Sequence, residues 1–429
     1  MRRLLLQTSA IQSTGVVLML ATTLLVSRLG GPAAQGSFAL VKSLNDLLVA
    51  ACSLGLPPAI VILLNRVSRG HRQLLRWIFI YGLILLFSLP VITAVLINLF
   101  DDKSIYSSIF VQSLLIGIAS ACLTVFAFLR GILLVYEDGP IFSIISIVQW
   151  MVIFISAALL LNRVNLVFEI AYTLAGILSL AAIIPLIRRR ISKEDRSTIL
   201  STTDWTFLRN QSGHIMAQAL LYGLQPFLSN AALSHIDPAL KLVGLFNIAA
   251  MTVALPNLLV ALVAPVLLNR WSKTLDWRGL QVVRKNALLF GFACQVMALA
   301  SWPLVPPAVQ LLFGSAFSEA VTPIRILLLA TVCVIASRIL TPAMQGLGRN
   351  DIVSWSCLAR AITIAAVVAT GYFSTDFPII EIMAIGWAMG ELAALAVLLI
   401  HSGSGDQDPG LRLSATKIED ITRELNEAP

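Results

Sequence analysis

The sequence predicts an all-α polytopic membrane protein with about twelve transmembrane helices. Two observations carry that class. Of 429 residues, 58% are apolar and only 12% are charged, against about 45–50% and about 25% in soluble domains. The apolar residues also form continuous runs of helix-spanning length, without the period-two alternation of a membrane β-barrel. A soluble enzyme, a disordered scaffold and a small disulfide-stapled secreted protein are excluded together.

Reading runs of about 20 apolar residues between charged or Pro/Gly breaks gives spans near 8–27, 37–63, 77–98, 105–129, 140–161, 166–186, 213–233, 242–268, 286–313, 322–344, 352–371 and 379–400. The first follows Arg2 and Arg3. It is too long for a signal-peptide core and is followed by more spans, so it is a helix of the mature protein. The ninth is interrupted by Pro303, Pro306 and Pro307 and is expected to end near Trp302, continuing as an interfacial segment. The tail 401–429 is Gly/Ser-rich at first. Ile418, Ile421 and Leu425 then share one helical face behind a Thr416…Glu419 capping box.

Basic residues set the orientation. With the N-terminus inside, 22 of the 30 Lys and Arg fall in inside loops and the tail. Four, Arg28, Lys103, Arg163 and Lys241, fall outside, and four lie within spans: Lys42, Arg325, Arg338 and Arg360. This bias places both termini in the cytoplasm of an inner (plasma) membrane protein and explains much of the net charge of +8 without nucleic acid. The five cysteines sit in apolar runs without metal spacing and read as small buried side chains; no metal site is expected.

An even count of spans per half puts both halves in one orientation, and the sequence carries a matching repeat. Span 2 opens Gly36-Ser37-Phe38 and closes Leu63-Leu64-Asn65-Arg66; span 8 opens Gly244-Leu245-Phe246 and closes Leu267-Leu268-Asn269-Arg270. Spans 4 and 10 end alike, with Gly131…Glu137-Asp138 and Gly346…Asn350-Asp351. Parallel repeats of this kind are a transporter architecture with the cargo site between the halves. The expected organisation is an N-terminal bundle (1–190), a cytoplasmic linker (191–211), a C-terminal bundle (212–400) and a cytoplasmic tail (401–429).

Three further stretches carry a family resemblance: Val26-Ser27-Arg28-Leu29-Gly30-Gly31-Pro32, Leu54-Gly55-Leu56-Pro57-Pro58-Ala59, and Leu312-Phe313-Gly314-Ser315-Ala316-Phe317-Ser318-Glu319-Ala320, with Gln345-Gly346-Leu347-Gly348-Arg349 closing span 10. With the span 2 opening, they resemble the Wzx-like oligosaccharide flippases of the multidrug/oligosaccharidyl-lipid/polysaccharide exporter superfamily over about residues 5–400. The resemblance implies two six-helix bundles in a V, a cationic central cavity, alternating access, and a glycan on undecaprenyl pyrophosphate as cargo. It also implies membrane lipid as a partner, and a glycan polymerase and chain-length regulator as partner proteins in polysaccharide (lipopolysaccharide O-antigen or exopolysaccharide) biosynthesis.

Ionisable groups within spans cost about 2.5–3.5 kcal/mol each by insertion scales, so each needs a partner or a cavity. Lys42 and Asp46 are one turn apart on span 2. They read either as a structural pair or as a cationic group for an anionic head group beside a cation-binding carboxylate. Arg360 on span 11 and Glu391 on span 12 lie at matching depth, with Arg338 on span 10 close to that depth. They read as a structural network or as an arginine cluster that grips pyrophosphate through planar, bidentate forks. Arg28 is either a snorkelling end residue or, by the resemblance, a cavity residue; Arg325 is interfacial. Polar residues on span 1 (Gln7, Thr8, Ser9, Gln12, Ser13, Thr14) and span 7 (His214, Gln218, Gln225, Asn230) read as helix–helix hydrogen bonds or a wet vestibule. Pro57, Pro58, Pro226 and Pro256 are candidate kinks for alternating access.

The leading reading is a flippase moving undecaprenyl-pyrophosphate-linked oligosaccharide to the outer leaflet, with Arg28, Lys42, Arg338 and Arg360 as substrate-binding residues. Asp46 and Glu391 are their charge partners or the sites of coupling to an H⁺ or Na⁺ gradient. No nucleotide-binding motif, cofactor or catalytic constellation is present in the sequence. The alternative is a cation-coupled small-molecule (multidrug) exporter of the same superfamily, which predicts an acidic, aromatic cavity. A peptidoglycan-precursor flippase usually has two further helices, and a glycan polymerase or ligase needs a substantial external loop; the sequence has room for neither.

Overall fold

The computed structural model describes residues 2–67, 71–100, 109–135, 139–161, 163–194, 200–251, 267–268, 271, 275–374 and 377–403. The calls on Pro256 and on the tail helix lie outside them. The described residues fold into helices with no strand. Among the described residues, seven helices are long and apolar enough to cross a membrane, or eight if one bent pair is a single span.

Helix α1, Arg2–Cys52, contains two predicted spans. Gly31 (φ 70°, ψ −169°), followed by Pro32, turns the chain between them. A left-handed φ at Gly31 is open to glycine at no steric cost. The first half runs alongside α5 in the same direction, Gly15 near Trp150 and Gly30 near Leu161. The second half runs antiparallel to α7, Ala39 near Asn230, Leu47 near Gly223 and Gly55 near Met216. The apolar part of α1 is 40 residues, about 60 Å at 1.5 Å per residue, enough for two crossings.

Helix α2 (Leu56–Val67) continues the second span after a break at Leu54 and Gly55, both at positive φ. The prolines do not kink a continuous helix here: Pro57 and Pro58 occupy the first turn of α2, where a missing N–H costs nothing. Helices α3 (His71–Phe100), α4 (Ile109–Val135), α5 (Gly139–Leu160) and α6 (Val167–Glu194) complete the N-terminal bundle. Its core gathers Ile60, Leu63, Leu74, Ile78, Phe128 and Ile132, with Trp77 stacked on Tyr81. On the other side of α3, Phe79, Leu83, Phe87, Val91 and Val95 recur every four residues, all exposed. That stripe has lipid as its natural neighbour.

Helix α7 (Thr202–Ile236) begins within the stretch read as a linker, because Ser201 and Asp204 close a capping box on its first turn. Then come α8 (Lys241–Met251), α9 (Trp277–Ala300), α10 (Val305–Leu312), α11 (Val321–Leu328), α12 (Thr331–Gly346), α13 (Asn350–Ser374) and α14 (Ile379–Gly403). The ninth span stops at Ala300, ahead of its prolines.

The tenth span is bent by 58° between α11 and α12. Gln295 of α9 splints the break: its Nε2 donates to the Leu328 carbonyl at 3.1 Å and its Oε1 accepts from the Val332 N–H at 3.1 Å. A broken helix in lipid needs such a partner, since its freed backbone groups find no water there.

The two bundles meet where α1 crosses α8, and the crossing is reciprocal. A Cβ on Gly36 would stand 2.1 Å from the Leu240 carbonyl oxygen, and one on Gly244 would stand 1.9 Å from that of Pro32. Leu240 precedes Gly244 by the same four residues as Pro32 precedes Gly36. Reciprocal contact between equivalent residues is the signature of a two-fold axis, so the pseudo-axis of the repeat passes through this point. The equivalent aromatics behave alike: Phe38 packs on Phe168 and Tyr172 of α6, and Phe246 packs on Trp387 of α14.

Candidate functional site

Charged side chains within the helices collect differently in the two bundles. In the C-terminal bundle, Arg360 (α13) and Glu391 (α14) are 2% and 4% exposed. Arg360 Nη2 donates to Glu391 Oε2 at 3.0 Å, and Arg338 Nη2 (α12) lies 3.6 Å from Glu391 Oε1. One carboxylate therefore bridges two guanidiniums, one on each oxygen. The cluster is three helices deep and carries a surplus positive charge.

Tyr222 of α7 completes it. Its ring lies 4.4 Å from the Arg338 guanidinium carbon and 4.6 Å from that of Arg360. The negative face of the ring adds cation–π attraction of about 0.5–2 kcal/mol per pair. Gly390 leaves room for the Arg360 stem, since a Cβ there would come within 3.1 Å of Arg360 Cγ. Tyr222 gave no signal in the sequence beyond its place on a polar span.

Helix α7 ties this cluster to the crossing. On one side Asn230 Nδ2 donates to the Ala39 carbonyl at 3.2 Å and to Ser43 Oγ at 3.1 Å. On the other, Gln218 Nε2 donates to the Asn350 carbonyl at 2.9 Å, Gln345 Nε2 donates to Gln218 Oε1 at 2.8 Å, and Trp387 Nε1 donates to Ser229 Oγ at 3.1 Å. Gln218 and Asn230 of span 7 are thus spent on neighbouring helices.

In the N-terminal bundle Lys42 and Asp46 form a half-buried pair, Nζ to Oδ2 at 2.5 Å, joined by no ion pair to the arginines among the described residues. Asn45 points inward and accepts from Ser120 Oγ of α4 at 2.9 Å. Arg28 stands apart from both groups. Its exposed guanidinium reaches across to the C-terminal bundle, where Nε donates to the Leu312 carbonyl at 2.8 Å and Nη2 to that of Leu311. It caps the last carbonyls of α10, the negative end of that helix. Lys241 and Glu319 pair nearby at 2.8 Å, and Arg325 lies over Trp302 at 5.8 Å.

The structure also buries a carboxyl that an end-of-span reading passes over. Glu169 lies in the first turn of α6 and is 3% exposed. Gln112 Nε2 of α4 donates to its Oε1 at 2.9 Å. The available sequence signal was an acid within the 166–186 run.

No family model matches the sequence, and no curated protein matches it. Solved structures match over nearly its whole length. A MOP superfamily transporter from Pyrococcus furiosus, described as having a binding pocket of reversed polarity, superposes with TM-score 0.73 at 15% identity, covering 96% of each chain. An inward-facing multidrug resistance MATE family transporter gives 0.71 at 13% identity, over 96% of this chain and 99% of that one. The Vibrio cholerae MATE transporter VcmN in its bent form gives 0.66 at 14%, over 94% and 96%. The fold is that of the MATE transporters of the MOP superfamily. Two bundles joined at a pseudo-two-fold crossing are therefore this chain's architecture, and the exposed apolar stripes make it a multi-pass membrane protein.

Proposed function

We propose that the protein is a secondary transporter that exports a small molecule by alternating access of its two bundles, driven by a cation gradient. The supporting observation is the reciprocal Gly36–Gly244 crossing. It joins two repeated bundles by close backbone packing about a pseudo-two-fold axis, the symmetry of transporters whose cargo site lies between repeated halves. The MATE neighbours favour this reading over others. The decisive experiment is reconstitution in vesicles with an imposed H⁺ or Na⁺ gradient, following fluorescent cationic and anionic probes. Gradient-dependent movement of a probe supports export; none with any probe removes it.

One observation favours a second reading, the flippase of lipid-linked oligosaccharide. Each proposed acidic coupling residue is already matched by a base: Glu391 by two arginines and Asp46 by Lys42. The surplus charge of the Arg338–Glu391–Arg360 cluster is positive, which suits a pyrophosphate better than a cationic drug. In this reading Arg338 and Arg360 bind the head group, with Lys42 and Arg28 along its route. The protein would sit in the inner membrane with both termini cytoplasmic, as the basic-residue bias argues. Its test is the leaflet location of undecaprenyl-linked glycan in a strain lacking the gene, with wild-type, Arg360→Lys and Arg360→Ala copies. Cytoplasmic-leaflet accumulation rescued by wild type alone supports flipping; normal sidedness in the deletion strain leaves the exporter.

A further inference from the structure

We propose that Glu169 and Gln112 form a proton-binding site inside the N-terminal bundle, in which Glu169 is held as an un-ionised carboxylic acid. This deepens the transporter reading, on which it rests for its purpose though not for its chemistry: it makes H⁺ the coupling ion.

The geometry is a half-made pair. Glu169 and Gln112 are 3% and 2% exposed. Gln112 Nε2 donates to Glu169 Oε1 at 2.9 Å, yet the amide's own Oε1 is buried with no hydrogen-bond partner among the described residues. A proton on Glu169 Oε2 completes the arrangement: the acid O–H donates to Gln112 Oε1 while the amide N–H donates back. The two side chains then form the reciprocal acid–amide ring that satisfies both buried groups. With Glu169 ionised, its carboxylate keeps the Gln112 amide and its own first-turn N–H as donors, but the buried Gln112 Oε1 faces negative charge with no donor, which is costly in a low-dielectric interior.

Among the described residues, no cation offsets the charge. Helix α5 contains no charged residue, and the only one on α4 is Arg130, about 27 Å along the helix at 1.5 Å per residue. On α1, Lys42 and Asp46 pair with each other, and Arg28 is held by α10. Cys122 of α4 faces Gly176, two turns along α6. Arg163, ahead of α6, is exposed. The other neighbour is Thr173, whose hydroxyl donates to the backbone carbonyls of Glu169 and Leu115, not to the carboxyl. Placement in the first turn of α6 favours the ionised form by about 0.3–1 kcal/mol, a small term beside burial of an unpaired carboxylate. Tyr172, one turn along α6, also has a buried hydroxyl with no partner among the described residues.

Infrared difference spectroscopy of the full chain in lipid vesicles, with isotope-labelled glutamate, tests this. At neutral pH a glutamic-acid carbonyl band is expected in wild type and in Asp46→Asn, disappearing reversibly at alkaline pH. It is expected to be absent in Glu169→Gln and shifted to higher frequency in Gln112→Leu, where the acid keeps its proton but loses its amide donor. If Glu169→Gln does not fold, the Gln112→Leu shift still decides. A wild type without the band, a band that survives Glu169→Gln, or one unmoved by Gln112→Leu overturns the site. A wild type with the band that transports no probe leaves the site standing and removes the exporter.

Discussion

The two bundles share a fold and treat a buried glutamate in opposite ways. In the C-terminal bundle Glu391 bridges two arginines and touches a charge on each oxygen. In the N-terminal bundle Glu169 has one neutral amide and no cation among the described residues. Both are about equally buried. Burial alone therefore does not set what a carboxyl does in this fold. Its partners do: the same residue type is a fixed counter-charge in one half and an exchangeable proton carrier in the other.

The sharpest test of that contrast is one conservative substitution made twice. Glu391→Gln removes the one counter-charge that Arg338 and Arg360 have among the described residues and leaves Arg360 as a buried, unpaired cation beside the partly exposed Arg338. Breaking a buried pair in this way costs about 3–5 kcal/mol. A large fall in melting temperature in detergent is expected, or loss of folded protein on size exclusion. Arg360→Met with Glu391→Met, which removes the buried pair at similar volume, is expected to recover most of the loss. Glu391→Gln with wild-type stability would mean the cluster is not ionised as drawn.

Next in size are the glycines of the crossing. Gly36→Ala and Gly244→Ala each drive a methyl against a backbone carbonyl of the other bundle, at a cost of about 1–3 kcal/mol for overpacking. The pseudo-axis makes the two sites equivalent, so the costs should agree and the double variant should cost less than their sum, since one displacement relieves both clashes. Unequal or fully additive melting shifts would break the symmetry argument. Gln295→Leu has no counterpart among the described contacts of the N-terminal bundle. It strips the α11–α12 break of its splint and should cost about 1–3 kcal/mol for unpaired backbone groups, with faster amide exchange confined to Leu328–Val332.

What the sequence made legible follows from which signals are local. Composition and run length set the class, and the Gly36 and Gly244 motifs carry the repeat in the sequence itself. Arg360 and Glu391 were matched by depth, because helix rise is regular. Breaks were harder. The second span reads as unbroken until Leu54 and Gly55 adopt left-handed φ, and the tenth until Gln295, far away in sequence, supplies the hydrogen bonds that permit a bend. Tyr222 was hidden for the same reason, since only packing brings its ring to two arginines. Glu169 was hidden by position: near a span end an acid reads as solvated, and only burial says otherwise.

The complement to Glu391→Gln is Glu169→Gln. An amide here stands in for the protonated acid, so a loss under about 1 kcal/mol is expected. A fall comparable with that of Glu391→Gln would show an ionised Glu169 and erase the difference between the halves.

The smallest effect on stability belongs to Arg28→Ala, and it extends the comparison from glutamates to arginines. Arg360 is a buried member of a three-helix cluster, whereas Arg28 is exposed and holds only backbone carbonyls at the end of α10. Exposed contacts with a helix terminus contribute about 0.3–1 kcal/mol. Melting should scarcely move. Yet this contact crosses between bundles, so the same energy acts on their separation at that face, where it amounts to about a two- to fivefold change in the ratio of apart to together. Spin labels at Asn98 and Leu304, on a background with the native cysteines replaced, would read it as a longer-distance population that grows when Arg28 is removed and shrinks again with lysine. An unchanged distance distribution would make Arg28 a surface cap with no part in holding the bundles together.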